Sequence, residues 1–189
     1  MKVHSFSVGP VVGAVAPRRV RILGVMPSAS LVAGEKKALG RIRWRREGEH
    51  HWRGPKHFRI NGNFDSSGVV VLSELEPGCR YQFQAGWVSD SAVVDTALQW
   101  DGADEGTFRT SPLDETAPAR FLFGSCCYRF VGPDREVEDA RADRVFATMA
   151  GVAEHEPTDF VMFGGDQVYA DATWRLSAAS TQQHYFDLY

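Results

Sequence analysis

The chain has 189 residues, 43% of them hydrophobic and 24% charged, with a net charge of −3. That length suits one large domain or two small ones, and the composition is that of an ordinary globular protein. The charge argues against the basic footprint of a nucleic-acid binder, and no apolar stretch is long enough for a membrane-crossing helix.

The opening Met1-Lys2-Val3-His4-Ser5-Phe6 lacks a basic segment followed by a long apolar one, so no signal peptide is visible and a cytoplasmic location is the expectation, with secretion left open. Cys79, Cys126 and Cys127 make no disulfide framework. A bridge between the neighbours Cys126 and Cys127 would be strained.

Strands are expected at residues 5–12, 19–25, 39–46, 56–60, 68–72, 81–88 and 106–110. Turn signals separate them at Ala16-Pro17, Gly34-Glu35, Gly54-Pro55, Asn61-Gly62-Asn63, Pro77-Gly78 and Asp101-Gly102. Short strands at this spacing predict a β-sandwich. Arg41-Ile42-Arg43-Trp44-Arg45-Arg46 alternates in strand fashion, which would place its arginines on a solvated face. His50 and His51 are neighbours on an extended segment and so converge poorly on one metal. Cys79, in a Pro-Gly turn, reads as a small half-buried residue. Between Leu72 and Ala85 the chain runs strand, turn, strand, with Tyr81 just after the turn, where its hydroxyl can bond back to upstream backbone. This resembles the penultimate hairpin of fibronectin type III domains.

After Pro112 the pattern changes. Residues 111–118 form a polar, proline-bearing linker. Arg120-Phe121-Leu122-Phe123-Gly124-Ser125-Cys126 then reads as a short strand ending in small residues, followed by a polar loop through Asp134. Residues 138–152 read as a helix with Val145, Phe146, Met149 and Val152 on its apolar face. Pro157 closes that region. Phe160-Val161-Met162-Phe163 is a second buried-type strand, and Gly164-Gly165 lets the backbone turn before Asp166. A strand, helix and parallel strand in this order set Cys126 and Asp166 at the same sheet edge, about 5 Å apart if the strands are neighbours. Asp166 and Tyr169 are hard oxygen donors suited to a hard cation; the competing reading makes Asp166 a helix N-cap.

The segments Phe121-Leu122-Phe123-Gly124-Ser125-Cys126 and Asp159 to Tyr169 together resemble the PhoD-like (alkaline phosphatase D) family of metallophosphoesterases. That family carries an N-terminal β-sandwich, and residues 6–15 look like its first strand. The resemblance implies a mixed fold: a fibronectin III/Ig-like sandwich over residues 1–112, then the first β-α-β unit of an α/β metallophosphoesterase domain over residues 113–189. It implies an iron(III) centre held by the Cys126 thiolate, a bridging Asp166 and the Tyr169 phenolate, with calcium or another divalent cation beside it. Asp171 would support these ligands or cap a helix, and Cys127 has no ligand role in the pattern. The implied activity is hydrolysis of phosphate mono- or diesters by a metal-bound hydroxide, on a small-molecule phosphate ester; no nucleic-acid partner and no membrane span are expected from charge and hydropathy.

One rival mechanism is set aside, and one departure qualifies the resemblance. Neither cysteine is followed six residues later by arginine, so no phosphate-cradling covalent loop is expected. Beyond Tyr169 there is no Gly-Asn-His-Asp motif, and His184 lies in a helical-looking stretch. The residues given thus read as the N-terminal part of such an enzyme, or as a truncated product, with an incomplete ligand set. The alternative is a noncatalytic fibronectin-like binding module.

Overall fold

The computed structural model describes residues 1–27, 38–89, 98–114, 116–126, 130–131, 137–139 and 141–166. The chain divides into two compact units, Met1–Ala117 and Pro118–Tyr189. In the first, period-two alternation produces strands β1 (Val8–Ala16), β2 (Arg19–Val25), β3 (Leu39–Arg46), β4 (Arg53–Arg59), β5 (Ser67–Leu72), β6 (Arg80–Val88) and β7 (Asp104–Arg109). They form two sheets, ordered β1-β2-β5 and β4-β3-β6-β7, with every neighbouring pair antiparallel. This is an all-β sandwich of the fibronectin III/Ig-like kind. Val20, Ile22, Val70 and Leu72 from one sheet meet Ile42, Phe58, Tyr81, Phe83, Ala85 and Phe108 from the other in one core. Burying each large side chain there contributes roughly 1.5–3 kcal/mol relative to exposure.

The expected corner is present. Tyr81 is fully buried, its ring stacks on Phe108 with centroids 5.3 Å apart, and its hydroxyl accepts a hydrogen bond from Glu76 N at 2.9 Å. Buried Thr110 adds to this, its hydroxyl donating to Glu76 O at 2.6 Å and accepting from Cys79 N at 2.9 Å. The β5–β6 connection is thereby fastened to the start of β6 and the end of β7. Cys79 is half-buried within it.

Several boundaries differ from expectation. β1 begins at Val8 and runs on to Ala16, because Val15 pairs with Val20 and Ala16 with Arg19 across a tight turn at Pro17-Arg18. The residues before it make isolated bridges instead, Lys2 to Gln99 and His4 to Trp87. Gly54-Pro55 lies inside β4 rather than in a turn; β4 is an edge strand, where a residue without an N–H is tolerated. Arg41 is not solvated but only 2% exposed. Arg43 and Arg45 are half-buried, because Trp52 and Trp100 fold over the outer face of the sheet. The Arg43 guanidinium lies 4.7 Å from each of those ring centres and Arg45 lies 4.4 Å from Trp52. Gln84 and Gln82 accept from the two Nε atoms at 2.7 and 2.9 Å. Burial lowers the Arg43 pKa, Arg45 lowers it further, and Glu105 opposes both. His50 and His51 are exposed in the β3–β4 connection.

The second unit contains β8 (Phe121–Gly124), β9 (Phe130–Val131), β10 (Val137–Asp139), helix α1 (Arg141–His155) and β11 (Phe160–Phe163). β9 and β10 pair as a short antiparallel ribbon where a polar loop was expected. Strand pairing therefore claims residues 138 and 139, and the helix starts later. β8 and β11 are parallel neighbours, with Phe160 beside Phe121 and Phe163 beside Gly124. Phe146 of α1 meets the Phe163 ring edge-on at 5.7 Å, and Phe121 stacks on Phe160 at 5.0 Å. Among the described residues, no helix is long and apolar enough to cross a membrane.

Candidate metal centre

The parallel pairing decides what stands at the carboxyl edge of β8 and β11. Its register continues past the strands: Gly164 N donates to Gly124 O at 2.7 Å, and Cys126 N donates to Gly165 O at 3.1 Å. The two glycines of Gly-Gly-Asp serve different ends. A Cβ at Gly164 would come within 2.6 Å of the Phe123 ring, whereas Gly165 adopts φ +123°, a backbone region that side chains disfavour.

Cys126 and Asp166 follow with φ of 60° and 54°. Two non-glycine residues in the left-handed region, on adjacent strand ends, each cost of order 1 kcal/mol or more, and such residues cluster at functional sites. The turn brings the side chains together. Cys126 Sγ donates to Asp166 Oδ2 at 3.4 Å, and both residues are exposed. Ser125 borders the pair, with its Oγ 3.5 Å from the Cys126 sulfur and donating to Gly165 O at 3.3 Å.

The donor pair can be tested against a cation. Metal–sulfur and metal–oxygen bonds of about 2.3 and 2.1 Å, at bond angles of about 90–110°, hold sulfur and oxygen roughly 3.1–3.6 Å apart. The observed 3.4 Å lies inside that interval, so the pair fits two adjacent ligand positions. Among the described residues, no group of three or more His, Cys, Asp or Glu side chains converges on a metal position. Tyr169, Asp171, Cys127 and His184, named from the sequence, lie outside the described residues. Sequence reasoning placed Cys126 and Asp166 on one edge but missed Ser125 and the Gly165 carbonyl. Their only linear signal is position: each immediately precedes a candidate ligand.

The first unit is thus a fibronectin III/Ig-like sandwich, and the second places a thiol and a carboxylate at the end of a parallel strand pair. No protein-family model matches the chain, and no curated protein does. Among solved structures, that of PhoD matches with a TM-score of 0.56 at 16% identity, over 84% of this chain and 27% of that one. The likeness is one of fold, and the chain spans about a quarter of that protein. The sensor domain of the anti-sigma factor RsgI4 in Pseudobacteroides cellulosolvens gives a TM-score of 0.37 at 13% identity, over 55% of this chain and 73% of that one. The fibronectin type-III domain of human fibronectin type III domain containing protein 3 gives 0.38 at 12%, over 57% and 86%.

Proposed function

We propose that this chain supplies part of the metal site of a phosphoesterase, acting on a phosphate mono- or diester. The observation that carries the reading is the 3.4 Å approach of Cys126 Sγ to Asp166 Oδ2 at the carboxyl edge of two parallel strands. Open α/β sheets place their ligands at that edge. The distant fold likeness to PhoD supports the reaction class.

In this reading Cys126, Asp166 and Tyr169 would hold an iron(III) ion, with calcium or another divalent ion as the second metal. Such cations neutralise phosphoryl charge and lower the pKa of bound water. The chain's own contribution is placement: the left-handed backbone at Cys126 and Asp166 turns both side chains off the strand ends toward one point. Asp171 is a candidate to orient these ligands. The residues from Pro118 onward start a larger α/β layer. Strands buried on both faces are the norm in parallel sheets, yet Phe160, Val161, Met162 and Phe163 are 43–51% exposed.

The test loads the chain with iron(III) and calcium, follows the cysteine and tyrosine charge-transfer absorption, and adds inorganic phosphate and two chromogenic esters, a mono- and a diester. Metal uptake lost in Cys126→Ala and Asp166→Asn, with phosphate perturbing the absorption, is the expected result. A chain that takes up no metal overturns the reading. So does a metallated chain that neither binds phosphate nor hydrolyses either ester.

A further inference from the structure

We infer that Ser125 is a positioning residue for this site, its hydroxyl holding the Cys126 and Asp166 strand ends at ligand spacing and serving as a hydrogen-bond donor to the cysteine sulfur once that sulfur is a thiolate. The inference rests on the metal-site reading of Cys126 and Asp166 and deepens it.

The Gly165 carbonyl is the hub. It accepts from Cys126 N at 3.1 Å and from Ser125 Oγ at 3.3 Å, so the β8 end is tied twice to the residue immediately before Asp166. The Cys126 φ of 60° is a strained position, and the Ser125 side chain adds its bond to the backbone bond from Cys126 N there. Ser125 Oγ also stands 3.5 Å from Cys126 Sγ, within reach of a hydrogen bond to sulfur.

One hydroxyl proton serves one acceptor well at a time. With Cys126 as thiol, the S–H points to Asp166 Oδ2 and the Ser125 proton to Gly165 O. Were a cation to bind, with the thiol proton released to solvent, the sulfur would be a charged acceptor, and charge-assisted bonds are roughly twice as strong as neutral ones. Rotation about the Ser125 side chain would then turn its proton to sulfur, while the Cys126 N–H keeps hold of Gly165 O. Hydrogen bonds to metal ligands tune both affinity and electronic character, typically by 10–100-fold in affinity.

Cobalt(II) binding to the whole chain reads both effects, through affinity and through the thiolate-to-cobalt charge-transfer band. Ser125→Ala is expected to weaken cobalt binding about 10-fold or more and to move the band, because an unbonded thiolate is the better electron donor. Ser125→Thr, which keeps the hydroxyl, is expected to restore both. Far-ultraviolet circular dichroism identifies any variant that fails to fold, and the Thr variant then carries the comparison through its band position. If Cys126→Ala binds cobalt as tightly as the parent, the metal-site reading itself falls. If Cys126→Ala loses the metal while Ser125→Ala keeps parental affinity and band, the role of Ser125 falls and the site stands. Weakening in Ser125→Ala and Ser125→Thr alike, with an unmoved band, likewise overturns it.

Discussion

Replacing Tyr81 by Phe removes one oxygen from the core and leaves the ring in place. The ring's stacking on Phe108 survives the change, so the difference isolates the 2.9 Å bond from Glu76 N. A typical net hydrogen bond contributes about 1 kcal/mol, and a donor left without a partner out of water costs about 1–3 kcal/mol. Because this donor is only partly buried, the expected loss is about 1–2 kcal/mol. At roughly 2.1 cal/mol/K per residue, the unit spanning Met1–Ala117 has an unfolding entropy of about 0.25 kcal/mol/K, so the melting temperature should fall by about 4–8 °C. Urea titration followed by tryptophan fluorescence measures the free-energy loss directly. Four of the chain's 5 tryptophans, Trp44, Trp52, Trp87 and Trp100, lie in that unit. A Tyr81→Phe chain within about 0.5 kcal/mol of the parent, a difference near the floor of a hydrogen bond's contribution, would refute the view that this corner holds the sandwich together.

Gly40→Ala should destabilise the sandwich by about 1–3 kcal/mol, the usual cost of overpacking, because a Cβ at Gly40 would sit within the Phe58 ring. Parental stability in urea would mean that Gly40 and Phe58 do not face each other as the β3–β4 register requires. Trp52→Ala removes the indole shared by Arg43 and Arg45 and should cost about 1–2 kcal/mol, at roughly 0.5–1 kcal/mol per contact. A double-mutant cycle with Arg45→Ala checks it, and a coupling energy near zero would dismiss the stack as a stabiliser of this face.

Much of the sandwich was legible in the linear pattern. The expected segments 19–25 and 39–46 coincide with β2 and β3, because both alternate over a full strand length between clear turns. Tyr81 was legible for the same reason: a corner depends on residues 76–81, all local. Where prediction failed, the deciding partner was remote. Arg43 and Arg45 of β3 read as part of a solvated row until Trp52 and Trp100, from separate loops, covered them. Val69-Val70-Val71 is apolar throughout, and only sheet pairing sets Val70 inside at 2% exposure and Val69 outside at 50%. The β9–β10 ribbon was invisible because strands this short carry no usable period.

At the candidate site the division is similar. By itself the sequence pointed to Cys126 and Asp166 each following an apolar strand, and to those two strands, joined through a helix, being parallel. These follow from periodicity and from the handedness of such connections. Tertiary structure alone decided that β8 and β11 are immediate neighbours in a register that sets Cys126 against Gly165. It also decided that both side chains leave a left-handed backbone at 3.4 Å separation, with the Ser125 hydroxyl between sulfur and carbonyl. Strand order, register and a local turn against side-chain preference are set by contacts between segments about forty residues apart in the chain, which no short-range pattern records.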